Sequence, residues 1–232
     1  MKTTAIVLAA GSGKRMGTDV KKQFLLLKDK PILYYSLKVF EESFIDEVIL
    51  VLSAEDMDFV RDNIIKKYGF LKVKSIVEGG KERYNSVLNA LNACKECDYV
   101  FIHDGARPFV DNDMLLRARD AVMQFDACVV GVKSKDTVKI SDEEGFVSIT
   151  PNRETVWNIQ TPQVFRFDLI KEAYNDVISK EQEYKDKGIN ITDDAMVLET
   201  YNGHRVKLVD GSYENIKVTT PSDLAIGTLL LS

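Results

Sequence analysis

Short apolar runs alternate with amphipathic stretches along most of this chain, and that alternation restricts the folds it can adopt. Five runs of four to six residues are rich in Val and Ile; they span residues 4–8, 47–52, 73–77, 99–102 and 127–132. Between them, side chains such as Leu33, Leu37 and Phe40 fall on one face of a helix. Apolar runs of this length are typical of parallel strands buried on both faces. We therefore predict an α/β fold, with a mostly parallel, Rossmann-like sheet flanked by helices.

The alternation breaks between residues 133 and 165. Residues 136–140 and 146–149 are β-prone and flank a polar turn that ends at Gly145, with no helical stretch between them. We predict that they pair as an antiparallel β-hairpin, within an arm of about residues 133–165 that projects from the sheet. Such an arm exposes strand edges that a second copy of the chain can cover, so we expect a homodimer formed through the arm. The alternative is a hairpin folded back on its own domain.

Composition limits the class of protein. The 232 residues, 45% of them hydrophobic, can form one core, and no linker or repeat divides residues 1–232, so a single domain is predicted. A net charge of -5 argues against binding to nucleic acid or to a membrane surface. We find no apolar run of about 20 residues and no signal peptide, and we expect a cytoplasmic protein. Cys94 and Cys97 lack the second ligand pair of a zinc site, which favours incidental thiols in a reducing compartment.

A glycine turn follows the first apolar run and carries the strongest functional signal. Residues 9–13 read Ala-Ala-Gly-Ser-Gly, a backbone free of bulky side chains that can surround a triphosphate with its N–H groups. Four cations follow closely: Lys14, Arg15, Lys21 and Lys22. A dinucleotide fingerprint would need Gly at Met16, and a P-loop would need Ser or Thr at Arg15, so neither motif is present. We interpret the segment as a nucleotide-phosphate site; the alternative is a turn that only reverses the chain.

Polar residues also follow other predicted strands. Asp104 and Arg107 come after the fourth apolar run, at the end where ligands bind in parallel sheets. Asp104 can place a metal–triphosphate complex or bind substrate hydroxyls, and Arg107 can hold an anion; a structural Asp–Arg pair is the alternative. Gly80 and Ser86, which follow the third run at a helix start, suit contacts with a base or ribose. A turn with a helix cap explains this pair equally well. His103 is expected to pack or brace the loop.

Four more polar residues complete the candidate set: Thr137, Arg153, Thr161 and Lys217. Lys217 lies in an apolar-flanked segment, where burial of its charge is costly without an anion. It is therefore a candidate phosphate ligand. Each of the four can singly be a solvated surface residue, so the interpretation depends on their joint occurrence.

Together these segments resemble the 2-C-methyl-D-erythritol 4-phosphate cytidylyltransferases almost end to end. The matching motifs are Ala-Ala-Gly-x-Gly-x-Arg-Met (9–16), Lys-Gln-Phe-Leu (22–25), Gly-Gly-x-x-Arg-x-x-Ser (79–86), His-Asp-x-Ala-Arg-Pro-Phe (103–109), Asp-Thr (136–137), Gln-Thr-Pro-Gln (160–163), Thr-Asp-Asp-Ala (192–195) and Asn-Ile-Lys (215–217). The resemblance implies a nucleotidyltransferase fold that is dimeric through a β-arm. It also implies transfer of CMP from CTP to a sugar-alcohol phosphate, with Mg²⁺ as cofactor and pyrophosphate as the leaving product.

The resemblance also implies roles for individual residues. Catalytic roles fall on Arg15, Lys22, Arg153 and Lys217, and nucleotide contacts on Ala9, Ala10, Gly11, Ser12, Gly13, Gly80, Arg83 and Ser86. The acceptor or metal side would be lined by Asp104, Gly105, Arg107, Thr137 and Thr161, with Asp104 as the metal ligand. Thr137 would act in the neighbouring subunit's site.

Two positions depart from the family pattern. Lys21 stands where the family usually has Pro, which leaves open whether Lys21 or Lys22 acts. Gly105 replaces a usual Ala and is expected to loosen the acceptor loop.

Two other functions remain open. One is ribitol-5-phosphate cytidylyltransferase, against which residues 9–11 and 192–195 argue; the other is a nucleotide sensor without turnover, against which the intact cations argue.

Overall fold

The computed structural model describes residues 1–11 and 20–231. Its strands are β1 (Thr3–Leu8), β2 (Leu26–Leu27), β3 (Lys30–Pro31), β4 (Glu47–Leu52), β5 (Val73–Glu78), β6 (Tyr99–Asp104), β7 (Ala127–Lys133), β8 (Ile140–Ser141), β9 (Val147–Ile149), β10 (Trp157–Arg166) and β11 (Lys207–Asp210). Its α-helices are α1 (Ile32–Glu42), α2 (Met57–Val60), α3 (Arg83–Ala93), α4 (Asn112–Phe125), α5 (Phe167–Ser179), α6 (Glu181–Asp186), α7 (Asp194–Asn202) and α8 (Pro221–Leu230). A π-helical segment, Arg61–Lys66, continues α2.

The central sheet has seven strands in the order β11-β7-β10-β6-β1-β4-β5 within the described residues. β1 pairs in parallel with β4 and β6, β4 with β5, and β7 with β11. β10 alone runs antiparallel to its neighbours β6 and β7. The predicted mostly parallel α/β sheet is therefore confirmed, and its five apolar runs correspond to β1, β4, β5, β6 and β7.

Helices cover both faces of the sheet, because successive side chains of a strand point to opposite faces. Ala5 and Val7 of β1 pack on the side of α1, α2 and α4. Ile6, between them, packs on the side of α3, α5 and α7. All three side chains are fully buried, as a central strand requires. Burial on both faces explains why the parallel strands are continuous apolar runs rather than alternating ones.

Two strands of the sheet were not predicted, and one of them changes the extent of the arm. β10 lies between β6 and β7, although residues up to 165 were assigned to the arm. From Gln160 to Phe165 its side chains are buried in the sheet. The predicted region of about 133–165 therefore combines a projecting part with a central strand. β11, the other strand that was not predicted, is a short edge strand beside β7.

The predicted hairpin is present as the pair β8 and β9, with shorter strands than expected. Its apolar side chains Ile140, Phe146, Val147 and Ile149 are 48–69% exposed. Such a concentration of exposed apolar side chains on one projection is typical of an interaction surface. The hairpin therefore does not bury these side chains against its own domain.

No helix in the described parts of the chain is long and apolar enough to cross a membrane. The cysteines Cys94, Cys97 and Cys128 are free thiols.

Candidate active site

The carboxyl ends of β1, β4, β5 and β6 open onto a cavity of about 460 Å³. A volume of this size is typical of a small-ligand site, and its position is the usual one in parallel sheets. Nine of the predicted site residues line it: Ala9, Ala10, Gly11, Lys22, Gly80, Arg83, Ser86, Asp104 and Lys217. The fold therefore brings most of the candidate site together from segments that are distant in sequence. Residues that line it without having been predicted include Gln23, Lys81, Glu82 and Ala106.

Close backbone contact shapes the glycine-rich side of the cavity. A Cβ atom on Gly79 would lie 2.5 Å from the Cβ of Ala10, and one on Gly80 would lie 2.3 Å from the Cβ of Asn85. Both approaches are closer than side chains tolerate, so both positions require glycine. Ser86 Oγ accepts a hydrogen bond from Gly80 N at 2.9 Å, which ties the glycine loop to the start of α3. The loop thus presents backbone, at a helix N-terminus, to the cavity.

The neighbouring lysines have different surroundings. Lys21 Nζ donates to Ser53 Oγ at 2.7 Å, Glu55 Oε1 at 2.5 Å and Asp56 Oδ2 at 2.7 Å. Lys22 instead lines the cavity. The two lysines are thus distinguished: Lys21 anchors the loop through its ion pairs, and Lys22 is the one that borders the ligand space.

Gln23 fixes that loop to the strand beside it. It is buried, and its Nε2 donates to Ala9 O at 2.7 Å and to Gly11 O at 3.3 Å. These bonds join the lysine segment to the start of the glycine turn. The resemblance included Gln23 in its motif, but its role in holding the turn was not predicted.

Asp104 lies at the centre of a group of cations. Its Oδ2 is 2.8 Å from Lys217 Nζ and 3.7 Å from Arg107 Nε, and its Oδ1 is 3.7 Å from Arg83 Nε. Burial alone would raise the pKa of Asp104, but the three cations hold it well below its usual range. The carboxylate therefore stays ionised and fixes the Lys217 ammonium at the wall of the cavity.

Arg83 was predicted to contact nucleotide, and the structure gives it a second role. Its Nη1 and Nη2 donate to the two oxygens of Asp194 at 2.7 and 2.6 Å, a bidentate pair. Asp194 is fully buried and also accepts from Tyr174 at 2.5 Å. Burial would lower the pKa of Arg83, but Asp194 raises it well above its usual value. Arg83 thus borders the cavity with its charge already paired to α7.

Thr161 and His103 lie beneath Asp104 rather than at the cavity wall. Thr161 Oγ1 accepts from Asp104 N at 3.1 Å, and it bonds to His103 Nδ1 at 3.0 Å. His103 Nε2 bonds to Arg107 O at 3.1 Å. The neutral histidine with its proton on Nε2 satisfies all three contacts. Burial lowers the pKa of His103 to about 4, and its bonds to Thr161 and Arg107 agree with the predicted loop-bracing role.

Gly105 and Arg107, both predicted to line the acceptor side, belong to the same braced loop. Ser36 Oγ donates to Gly105 O at 3.1 Å and to Arg107 O at 3.2 Å. A Cβ on Gly105 would lie 3.1 Å from Leu33 Cδ1 and from Leu8 O, so the glycine fits a tight position. The loop is packed and hydrogen-bonded in this structure, and looser packing relative to the family's Ala stays a prediction.

The remaining predicted residues lie elsewhere. Thr137 and Arg153 are exposed on the arm and do not line the cavity of their own chain; Arg153 Nη1 donates to Lys135 O at 3.3 Å. Within one chain, therefore, Arg153 does not meet Lys217 at the cavity. Ser12, Gly13 and Arg15 lie outside the described residues.

Asp104 was also predicted to bind a metal, and its surroundings define which kind of ion fits. In residues 1–11 and 20–231, no three His, Cys, Asp or Glu side chains form a cluster that could hold a metal ion. Mg²⁺ at phosphate-transfer sites commonly takes one or two carboxylates and completes its shell with phosphate oxygens and water. Asp104 and Glu82 both line the described part of the wall, but Glu82 caps α3, so Asp104 is the carboxylate that fits Mg²⁺ arriving with a triphosphate. It does not fit a metal held by protein groups alone.

Comparison with known proteins agrees with this geometry. Residues 3–232 match the family model described as IspD: 2-C-methyl-D-erythritol 4-phosphate cytidylyltransferase. A 2-C-methyl-D-erythritol 4-phosphate cytidylyltransferase of Lachnoclostridium phytofermentans is 50% identical over 99% of this chain and 96% of its own length. One from Alkaliphilus oremlandii is 47% identical over 99% of this chain and 95% of its own. The crystal structure of 4-diphosphocytidyl-2C-methyl-D-erythritol synthase from Anaerococcus prevotii superposes with a TM-score of 0.86 at 34% identity, covering 99% and 96% of the two chains.

Proposed function

The chain belongs to the 2-C-methyl-D-erythritol 4-phosphate cytidylyltransferase family, and we propose that it transfers CMP from CTP to 2-C-methyl-D-erythritol 4-phosphate with release of pyrophosphate. It is a nucleotidyltransferase of isoprenoid precursor biosynthesis. The observation that carries the proposal is the shared cavity, in which Lys22 and Lys217 face backbone from two glycine-containing loops. Two polyanions must meet in this reaction, and a cavity with separate cations suits both of them.

The glycine-rich side of the cavity would hold CTP. Ala9, Ala10 and Gly11 present backbone at the end of β1, and Ser12 and Gly13 would continue that contact along the triphosphate. Gly80 and Ser86 belong to the neighbouring loop, whose Gly79 packs against Ala10, and close backbone approach there would suit a base or ribose edge. With CTP held in this way, its phosphates would lie near Lys22.

The chemical step would depend on positioning and charge. An oxygen of the acceptor phosphate attacks the α-phosphorus of CTP in line with the bond to the β-phosphate, which breaks to release pyrophosphate. The acceptor phosphate is already ionised at neutral pH, so no general base is required. Lys22 and Arg15 would stabilise the charge that develops on the triphosphate, while Lys217 and Arg153 would orient the attacking phosphate.

The acceptor side would be formed around Asp104, with Gly105, Arg107 and Thr161 behind it. The Asp104 carboxylate holds Lys217 and would bind acceptor hydroxyls or Mg²⁺. When Mg²⁺ is bound with the nucleotide, it neutralises phosphate charge and polarises the α-phosphorus. His103, buried and neutral, orients this loop and takes no part in proton transfer.

The arm would complete the site in a homodimer. The exposed apolar side chains of the hairpin need a partner surface, and a second copy of the chain supplies one. Because Thr137 and Arg153 do not line their own cavity, they are free to enter that of the partner subunit. We expect the dimer to act in the cytoplasm, where free thiols such as Cys94, Cys97 and Cys128 remain reduced.

Pyrophosphate release tests the proposed reaction. The purified protein is incubated with CTP, Mg²⁺ and either 2-C-methyl-D-erythritol 4-phosphate or ribitol 5-phosphate, and kcat/KM is determined for each acceptor. We expect the methylerythritol acceptor to be preferred and release to stop when EDTA removes the metal. A higher kcat/KM for ribitol 5-phosphate would contradict the proposal, as would CTP binding without turnover on either acceptor.

A further inference from the structure

The segment that carries Lys217 has no regular secondary structure, although it must present an ammonium group to the site. It follows β11 and runs from Gly211 to Val218 before α8 begins. Gly211 N donates to Gly131 O at 2.7 Å, and Val218 N donates to Ala106 O at 2.9 Å. These two bonds fix the ends of the segment, but neither holds the residues between them.

Asn215 holds the middle of the segment. Its side chain is fully buried, and its Nδ2 donates to Thr161 O at 3.0 Å and to Gln160 Oε1 at 3.2 Å. The backbone carbonyl of Thr161 can only accept, so the amide orientation is determined by the contact itself. Among the described residues, Asn215 Oδ1 has no hydrogen-bond partner. Burial of an unpaired oxygen costs free energy, so an apolar side chain would be the less costly choice if only packing mattered.

Gln160 continues this connection on β10. Its Nε2 donates to Ser212 O at 2.8 Å, while its Oε1 accepts from Asn215. Gln160 therefore holds the loop from the sheet at two points, Ser212 and Asn215. A Cβ on Gly211 would lie 2.5 Å from that Gln160 Oε1 and 2.8 Å from Val130 Cγ1, so the loop needs glycine where it passes the sheet.

These contacts lie close in sequence to Lys217, whose ammonium group is proposed to bind the acceptor phosphate. Arg107 Nη1 donates to Asn215 O at 2.8 Å, and two residues further on Lys217 Nζ meets Asp104 Oδ2 at 2.8 Å. Asp104 N is bound to Thr161, the residue whose carbonyl receives the Asn215 amide. Thr161 thus holds both partners of the Lys217–Asp104 pair: its side chain bonds to Asp104, and its carbonyl bonds to the Asn215 amide in the segment of Lys217.

We propose that Asn215 is a positioning residue which, with Gln160, sets Lys217 against Asp104 and so places the ammonium that receives the acceptor phosphate. The inference rests on the proposed function of Lys217. Asn215 itself does not touch substrate; it acts through the loop. Its loss should therefore affect use of the acceptor and leave CTP affinity nearly unchanged.

A double-mutant cycle tests this coupling. kcat/KM for the acceptor and KM for CTP are measured for the wild type, Asn215→Ala, Lys217→Ala and the double variant. We expect each single variant to lose tenfold or more in kcat/KM for the acceptor, and the double variant to be within about twofold of Lys217→Ala. KM for CTP should change by less than about twofold in Asn215→Ala. If the losses multiply in the double variant, or if CTP and acceptor are affected alike, Asn215 does not act through Lys217 and the inference is wrong.

Two further variants separate positioning from simple loss of stability. Thr4→Val removes a buried hydroxyl that bonds to Glu47, at the other end of β1, and should lower the thermal midpoint without changing kcat/KM. Gln160→Met removes the amide that bonds to Ser212 and Asn215 while leaving Asn215 in place, and should give the same selective loss for the acceptor. If Asn215→Ala does not fold, the cycle is run with Gln160→Met against Lys217→Ala, where multiplying losses again overturn the inference. Full activity of Lys217→Ala alone would instead overturn the proposed function of that lysine.

Discussion

Lys21 and Lys22 are adjacent, yet their surroundings predict opposite outcomes on substitution. Lys22 borders the cavity, where we propose that it stabilises charge developing on the triphosphate. Lys22→Ala should therefore lower kcat by roughly 10²- to 10³-fold, the usual cost of losing one such group, with a smaller effect on CTP binding. Steady-state kinetics with calorimetric CTP titration measures both quantities.

Lys21→Ala is the matched control for that measurement. The Lys21 ammonium is already bonded to Ser53, Glu55 and Asp56. Its removal should therefore leave kcat nearly unchanged and slightly reduce the free energy of unfolding. The assignment fails if Lys21→Ala loses turnover and Lys22→Ala keeps it.

His103 gives the folded protein a specific dependence on pH. Burial lowers its pKa from 6.5 to about 4, so between these values the unfolded chain binds more protons than the folded one. The free energy of unfolding should therefore fall as pH decreases from 6.5 to 4, by about 1.4 kcal/mol per unit and about 3 kcal/mol in all from this group. Asp104, which is ionised in the folded protein, lowers the free energy of unfolding further only when the pH falls below its pKa in the unfolded chain, near 3.8. Urea unfolding at several pH values should show a shallower slope for His103→Gln than for the wild type. Equal slopes would mean that His103 is not the group responsible.

Individual site residues were predictable where a local rule applied to them. The rule that ligands bind where parallel strands end identified residues 9–11, Gly80 and Asp104 from sequence alone. Pairings between distant residues were not predictable: Arg83 meets Asp194 across 111 positions. Neither residue's own neighbourhood signals that contact. The roles of Gln23 and Asn215 could not be predicted for the same reason, because the role of a buried amide depends on the residues to which it bonds.

At the level of elements, the parallel strands could be predicted because burial on both faces makes them continuous apolar runs. β10 could not, although it lies within the sheet. Its buried segment contains Gln160, Thr161 and Gln163, polar side chains that bond within the protein instead of facing solvent. It also contains Pro162, which argues against a central strand. β11 is short, and charged at both ends by Lys207 and Asp210. Such a strand gives no periodic signal.

The contact between the glycine loop and the end of β1 allows a test of element packing. In Gly79→Ala, the new Cβ would lie 2.5 Å from Ala10 Cβ, so one of the two loops must move. We expect weaker CTP binding and a loss of about 1–3 kcal/mol in the free energy of unfolding, as is usual for overpacking. Adding Ala10→Gly removes the clashing atom and should restore part of both losses. If Gly79→Ala binds CTP normally, or if Ala10→Gly gives no recovery, these loops do not need this contact.

At the scale of the whole molecule, the cavity of one chain holds only part of the predicted cation set. Lys22 and Lys217 line it, whereas Arg153 is exposed on the arm. The polar turn and β-prone runs predicted that an arm exists. In the proposed homodimer its destination depends on a second chain, and that cannot be derived from the periodicity of one. Whether Arg153 acts within its own subunit or in its partner is therefore a question about assembly.

Heterodimers with separately tagged chains answer that question. Co-expression of a Lys217→Ala chain with an Arg153→Ala chain should yield a dimer in which one site receives both substitutions and the other receives neither. Such a dimer should retain about half of the wild-type rate, although each variant homodimer is nearly inactive. The converse dimer pairs a wild-type chain with a chain carrying both substitutions. It should be nearly inactive, because each of its sites lacks one cation. If Arg153 served its own subunit, the two results would be exchanged, since the first dimer would then have one substitution in every site and the second would keep one site intact.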